Sequence, residues 1–166
     1  MPDLSEILAA ASLREESVEL CVDGALNARF AELQRELAAA LEKAPSSLAD
    51  GGQAGLVERA MTEVRSAMAE HSFTFRFRAL GAKAWSDLRA AHPGRDGKSE
   101  AWNVETFPPA LIVACCVDPQ LDAAGVERLF EVLNQGQRDL LFQAAWDANQ
   151  GSDVPFWRAA SEQTPS

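Results

Sequence analysis

Apolar positions in this chain repeat first at a spacing of two, then at three to four, then at two again. Val18, Leu20 and Val22 alternate with Glu19 and Cys21, which predicts a half-buried strand over residues 17–22 that Asp23 and Gly24 bring to an end. Leu26, Phe30, Leu33, Leu37 and Leu41 follow at steps of four, three, four and four. That rhythm places one apolar stripe on a helix over residues 25–42, with Arg29, Glu32, Arg35, Glu36 and Glu42 turned away from it. Val57, Met61, Val64 and Met68 stripe a second helix over residues 56–70. Between the two, the stretch from Ala44 to Gly55 holds Pro45, Ser46, Ser47, Gly51, Gly52 and Gly55 and reads as a flexible connection, so the helices are expected to return on each other as an antiparallel hairpin. The spacing of two resumes over residues 72–78, where Phe73, Phe75 and Phe77 face one way and Thr74, Arg76 and Arg78 the other. The two strands flank the hairpin and are expected to meet at its base, in either direction, with the phenylalanines covering Val18, Leu20 and Val22. Two strands alone are marginal, so a further strand from another copy of the chain is an open alternative. Residues 2–15 read as a short helix or a loose arm.

After Leu80 the pattern changes to short helices, near residues 82–91, 106–117, 122–133 and 135–149, with a polar loop from His92 to Ala101 carrying Pro93, Gly94 and Gly97. The run Trp102 to Pro119 is the most sharply bracketed. Asn103, Thr106, Pro108 and Pro109 suit a helix start, because a proline in the first turn sacrifices no helical hydrogen bond. Leu111, Ile112, Val113 and Val117 make the helix apolar nearly all round, and Asp118-Pro119 closes it. Such a helix belongs in a core. The expected fold is a mostly α-helical α+β protein: a strand–helical hairpin–strand lobe over residues 1–80, a compact bundle of short helices over 81–150, and a tail over 151–166 in which Phe156 and Trp157 can dock on a surface.

Charge narrows the function. Fifteen Lys and Arg against 25 Asp and Glu give a net charge of −10, which opposes nucleic acid or an anionic membrane as the main partner. Against that mean, residues 72–98 carry a local +4 through Arg76, Arg78, Lys83, Arg89, Arg95 and Lys98, whereas residues 1–70 carry −7. The basic stretch either pairs with the chain's own carboxylates or docks an acidic surface, such as the N-terminal half of a second copy. No apolar run reaches the roughly 18 residues that span a bilayer. The acidic start Met1-Pro2-Asp3 is unlike a secretory signal, and three cysteines do not make a disulfide framework, so a soluble cytosolic protein is expected.

Catalytic signatures are weak. His71 and His92 sit at helix ends, without the spacing of a metal site. Cys115 and Cys116 lie in the most apolar helix, where a thiol packs as a small hydrophobe, and Cys21 is on a strand. Gly51-Gly52-Gln53-Ala54-Gly55 follows no strand and lacks the Lys-Ser/Thr ending of a phosphate loop. Trp85 and Trp146 read as packing residues, Trp102 and Trp157 as flanking loops. No enzyme activity, metal or cofactor is expected.

Particular residues resemble the tail assembly chaperones of long-tailed phages and prophages of actinobacteria. The likeness is carried by Phe73-Thr74-Phe75-Arg76-Phe77-Arg78-Ala79-Leu80, by Trp85 and Leu88 before Ala91-His92-Pro93, and by Trp102-Asn103 with Thr106-Phe107-Pro108-Pro109-Ala110-Leu111-Ile112. Asp118-Pro119 and a last helix with Gly136-Gln137, Leu140 and Asn149 complete it. The resemblance spans about residues 3–153. It implies a non-enzymatic protein of the host cytoplasm that holds the hydrophobic helical tape measure protein in solution and helps recruit tail-tube protein, absent from or transient in the virion. A structural minor tail or head–tail connector component is the alternative. Independently, a coiled-coil chaperone needs apolar surfaces that accept a helix and a net charge that keeps the complex soluble. The candidate partner surface is Leu26, Phe30, Leu33, Leu37 and Leu41 with Met61 and Met68 opposite, joined by Arg76 and Arg78. The alternative is that this stripe is simply the hairpin's own core.

Overall fold

The computed structural model describes residues 1, 3–43 and 51–151. Residues 44–50 of the predicted connection, and the segment bearing Phe156 and Trp157, lie outside them. The described chain is a mostly helical α+β fold, with helices α1 (Leu4–Ala10), α2 (Gly24–Lys43), α3 (Gly51–Glu70), α4 (Ala82–Ala91), α5 (Phe107–Cys115), α6 (Ala123–Val132) and α7 (Gln135–Gln150). Its strands are β1 (Glu15–Cys21), β2 (Ser72–Arg78) and β3 (Cys116–Asp118). They form one antiparallel sheet in the order β1-β2-β3. The third strand comes from the same chain. It answers the marginality of two strands without a second copy.

The described chain divides into two compact units, Glu19–Thr74 and a discontinuous unit of Met1–Val18 with Phe75 onward. The division runs through β1 and β2, whereas the change in sequence character falls after residue 80.

In the unit Glu19–Thr74, Leu33, Val57 and Met61 form the buried centre, with Phe30, Leu37, Ala60 and Val64 packed around them. The guanidinium of Arg65 lies over the Phe30 ring at 5.4 Å, and Leu33 packs with Met61, so residue numbers rise on α2 as they fall on α3: the hairpin is antiparallel. Its base is closed where the Val22 N–H donates to the His71 carbonyl at 3.0 Å. Helix α3 starts at Gly51, so Gly51, Gly52 and Gly55 are helical and not part of a linker. The glycines cost helix propensity, and burial of Val57 and Met61 against Leu33 offsets it. Asp23 opens α2 by accepting the Ala25 and Leu26 N–H groups, and the Asn27 amide donates to the Cys21 carbonyl at 2.8 Å. That contact seats the end of β1, and Cys21, expected on the polar face, is buried.

In the other unit, Phe75 and Phe77 are buried as alternation requires; Phe73, at the start of β2 and outside this unit, stays 55% exposed. Cys116 pairs with Phe77 and Asp118 with Arg76, across an irregularity in the ladder. This pairing corrects the expected helix over residues 106–117. Helix α5 stops at Cys115 because the following residues take up hydrogen bonding with β2 in place of a last helical turn. A short apolar run does not by itself distinguish these outcomes. Phe107, Leu111, Ile112 and Cys115 of α5 are all buried. Phe107, with no exposed surface, meets Trp85, Trp102 and Phe142 at ring separations of 6.2, 5.2 and 6.3 Å. Trp146 meets Trp102 at 4.9 Å with the ring planes tilted by 42°. Capping boxes start α1 (Asp3 with Glu6) and α7 (Asn134 with Gln137), and Asp122 caps α6 through the Gly125 N–H at 2.7 Å.

Candidate functional site

The loop between α4 and α5 positions the surfaces on either side of α5. Asn103, not Thr106, supplies the helix start: its Oδ1 accepts the N–H groups of Glu105 at 2.9 Å and Thr106 at 3.2 Å, and its carbonyl accepts from Phe107. That frees the Thr106 hydroxyl to meet His92 Nδ1 at 2.9 Å, while the His92 carbonyl accepts the Asn103 N–H at 3.0 Å. His92 is therefore a clasp of the loop. Arg95 grips Glu100 through Nη2 at 2.6 Å and Nε at 3.1 Å, and also pairs with Glu105. Hydrogen bonding from Arg95 holds the Glu100 carboxyl below the usual carboxylate range. Gly94 is required here, since a Cβ would lie 2.3 Å from the Glu100 carbonyl oxygen, and Gly97 takes φ = +74°.

With its entry fixed, α5 borders two hollows. One is an open groove of about 620 Å³ lined mainly by Leu88, Pro109, Ala110, Val113, Ala114 and Val126. Ala123 also lines it, with Glu105 and Glu127 as its acidic groups. The other, of about 590 Å³, lies between Trp102, Pro108, Pro109, Phe130 and Phe142, with Arg138 in its wall. The small residues at 110, 114 and 123 leave room for a backbone to come close. Sequence reading saw these residues only as parts of core helices; the signal was present in Ala110, Val113 and Ala114, whose spacing puts small side chains on one helical face.

The sequence-predicted partner residues are distributed as follows. Leu33 and Met61 are buried inside the hairpin; Leu26, Phe30, Leu37 and Met68 are half-buried; Leu41 is 56% exposed. The centre of the stripe is thus covered by the facing helix. Arg76 and Arg78 converge on Glu15, with closest approaches of 3.8 and 2.6 Å. Lys83 pairs with Asp87 at 2.5 Å. Within the basic stretch, Arg89 and Lys98 are the cations whose side chains have no ion pair among the described residues.

Among the described residues no three His, Cys, Asp or Glu side chains gather to hold a metal, and no helix is long and apolar enough to cross a membrane. Burial pushes the Cys116 thiol up to about 11, against an opposing backbone hydrogen bond at Asp118, and raises that of Cys115, which Asn149 approaches at 3.3 Å. Neither is poised as a nucleophile at neutral pH. No family model, no curated protein and no solved structure matches this chain.

Proposed function

We propose that this protein is a non-catalytic assembly chaperone of the phage-tail type, working in the host cytoplasm. It binds an apolar helix of the tape measure protein in the groove beside α5 and helps recruit tail-tube protein. The groove is the observation that carries the reading. The block that bears the family resemblance, Asn103 to Ile112, forms one wall of it, through Pro109 and Ala110. Its small, mostly apolar lining suits helix-in-groove binding. Glu127, which has no ion pair among the described residues, favours a client helix with Lys or Arg beside its apolar stripe. The net charge of −10 keeps a complex with a greasy client soluble. The hairpin adds exposed Leu41 and Leu56 as a lesser apolar surface.

Co-expression with a long coiled-coil tape measure protein tests the reading. The client is expected in the soluble fraction with the wild-type chain and in the pellet with Val113→Glu or Ala114→Glu, provided these variants keep the wild-type circular dichroism spectrum. A client equally insoluble with the wild-type chain, or equally soluble with folded groove variants, would overturn it. Mass spectrometry of purified particles addresses the structural-component alternative, because an assembly factor is depleted from mature virions.

A further inference from the structure

We infer that helix α1 docks on α4 and the loop after it in a second copy of this chain, each copy giving its helix and receiving the other's. The inference does not rest on the tail-assembly reading. Helix α1 is seven residues long and buries none of them. Leu4, Ile7 and Leu8 fall at i, i+3 and i+4, on one helical face, and are 69%, 53% and 65% exposed. Leu13, just beyond the helix, is 51% exposed. A helix this short is marginal in water unless its apolar face packs against something. The capping box of Asp3 and Glu6 holds the first turn, but the protomer leaves that face uncovered.

Charge selects what covers it. Residues 1–13 hold Asp3 and Glu6 and no Lys or Arg. The capping box occupies Asp3 Oδ1 and Glu6 Oε2, leaving the second oxygen of each carboxylate without a partner among the described residues. The complement lies at the end of α4. Arg76, Arg78, Lys83 and Arg95 are held by the chain's own carboxylates, whereas Arg89 has no hydrogen bond or ion pair among the described residues. Arg89 is the one charged side chain lining a hollow of about 440 Å³, beside Trp85, Ala90, Pro93, Gly94 and Ala101. The small residues let a helix come close, and Trp85 offers an aromatic surface to its leucines. The groove beside α5 is a poorer host, because Glu105 and Glu127 repel Asp3 and Glu6. No α1 residue lines the hollow in its own protomer. Every copy carries both halves of the contact, so a two-fold pairing covers both at once.

Sedimentation equilibrium and NMR on the full chain test this. The wild-type chain is expected to exchange between monomer and dimer below about 1 mM, as suits a small, partly polar interface. Ile7→Ser is expected to weaken the dimer by at least about tenfold, and Arg89→Gln by about threefold. Ile7 is exposed in the protomer, so its replacement leaves the fold intact. To locate the contact, a nitroxide is attached at Ser5→Cys, the native cysteines being buried, and this chain is mixed with an isotope-labelled chain that carries no nitroxide. Broadening of the Trp85 indole and Gly94 amide signals of the isotope-labelled chain is expected. A chain that stays monomeric, a dimer indifferent to Ile7→Ser, or broadening centred on Ala114 in the α5 groove would overturn the inference. In the reverse labelling, the isotope is on the nitroxide chain, diluted until it is monomeric. Broadening of Trp85 that persists there marks α1 folding onto its own α4, and would overturn the second copy as the occupant.

Discussion

The side-chain oxygen of Asn149 accepts the backbone N–H of Leu80 at 2.8 Å, joining residues 69 apart in sequence. Its amide nitrogen meanwhile donates to the Ala145 carbonyl at 2.8 Å, so the side chain is braced on its own helix while it holds the exit from β2. Replacing it with leucine keeps the size and leaves the Leu80 N–H without its acceptor. Asn149→Leu is expected to cost about 1–3 kcal/mol, read as a lowered denaturant midpoint at unchanged slope. An unchanged midpoint would show that water satisfies Leu80 instead.

The helix start at Asn103 predicts a smaller loss. Asn103→Ala removes the acceptor for two N–H groups and is expected to cost about 1 kcal/mol, whereas Thr106→Val, at the formal cap position, spares the cap and breaks only the His92 contact. Thermal melts of the two variants rank them.

Leu33 is 1% exposed at the centre of the hairpin. Leu33→Ala is expected to cost about 2–5 kcal/mol. Hydrogen exchange is the measurement, and it should accelerate in α2 and α3. Slowed or unchanged exchange there would refute the assignment of Leu33 to the hairpin's own core.

Two titrations follow from the shifted groups. The Glu100 carboxyl is depressed on folding, so its contribution to stability is present above the ordinary carboxylate pKa and fades as pH falls through the folded value. Glu100→Gln should flatten the acid limb of the stability curve and leave its alkaline side alone. Cys116 runs the other way. Its thiol rises from 9.0 to about 11, so its contribution holds below pH 9 and is lost above it. At pH 8 it should react with an alkylating reagent far more slowly in the native protein than in denaturant, which mass spectrometry of the labelled peptide resolves.

Much of the fold was legible because period and burial agree. The steps from Leu26 to Leu41 mark α2, and Phe75 and Phe77 mark the inward face of β2. Legibility failed where a tertiary partner decided the outcome. Cys116 looks helical until β2 offers it a ladder, and Gly51 looks like linker until Val57 and Met61 find Leu33. The candidate sites were less legible than the fold. The groove and the Arg138 hollow are spaces between elements, and no single stretch of sequence contains them. Their outline depends on how Leu88, Ala110 and Val126 converge, or on Phe130 meeting Arg138 across the turn between α6 and α7.

The clasp between Val22 and His71 bears on the order in which the chain assembles during synthesis. Residues 15–18 leave the ribosome long before their partners in residues 75–78, and the intervening stretch would ordinarily be a long loop to close. The folded hairpin holds its ends together at Val22 and His71, which leaves little chain to close between residues 15–18 and 75–78 and lowers the entropic cost of pairing them.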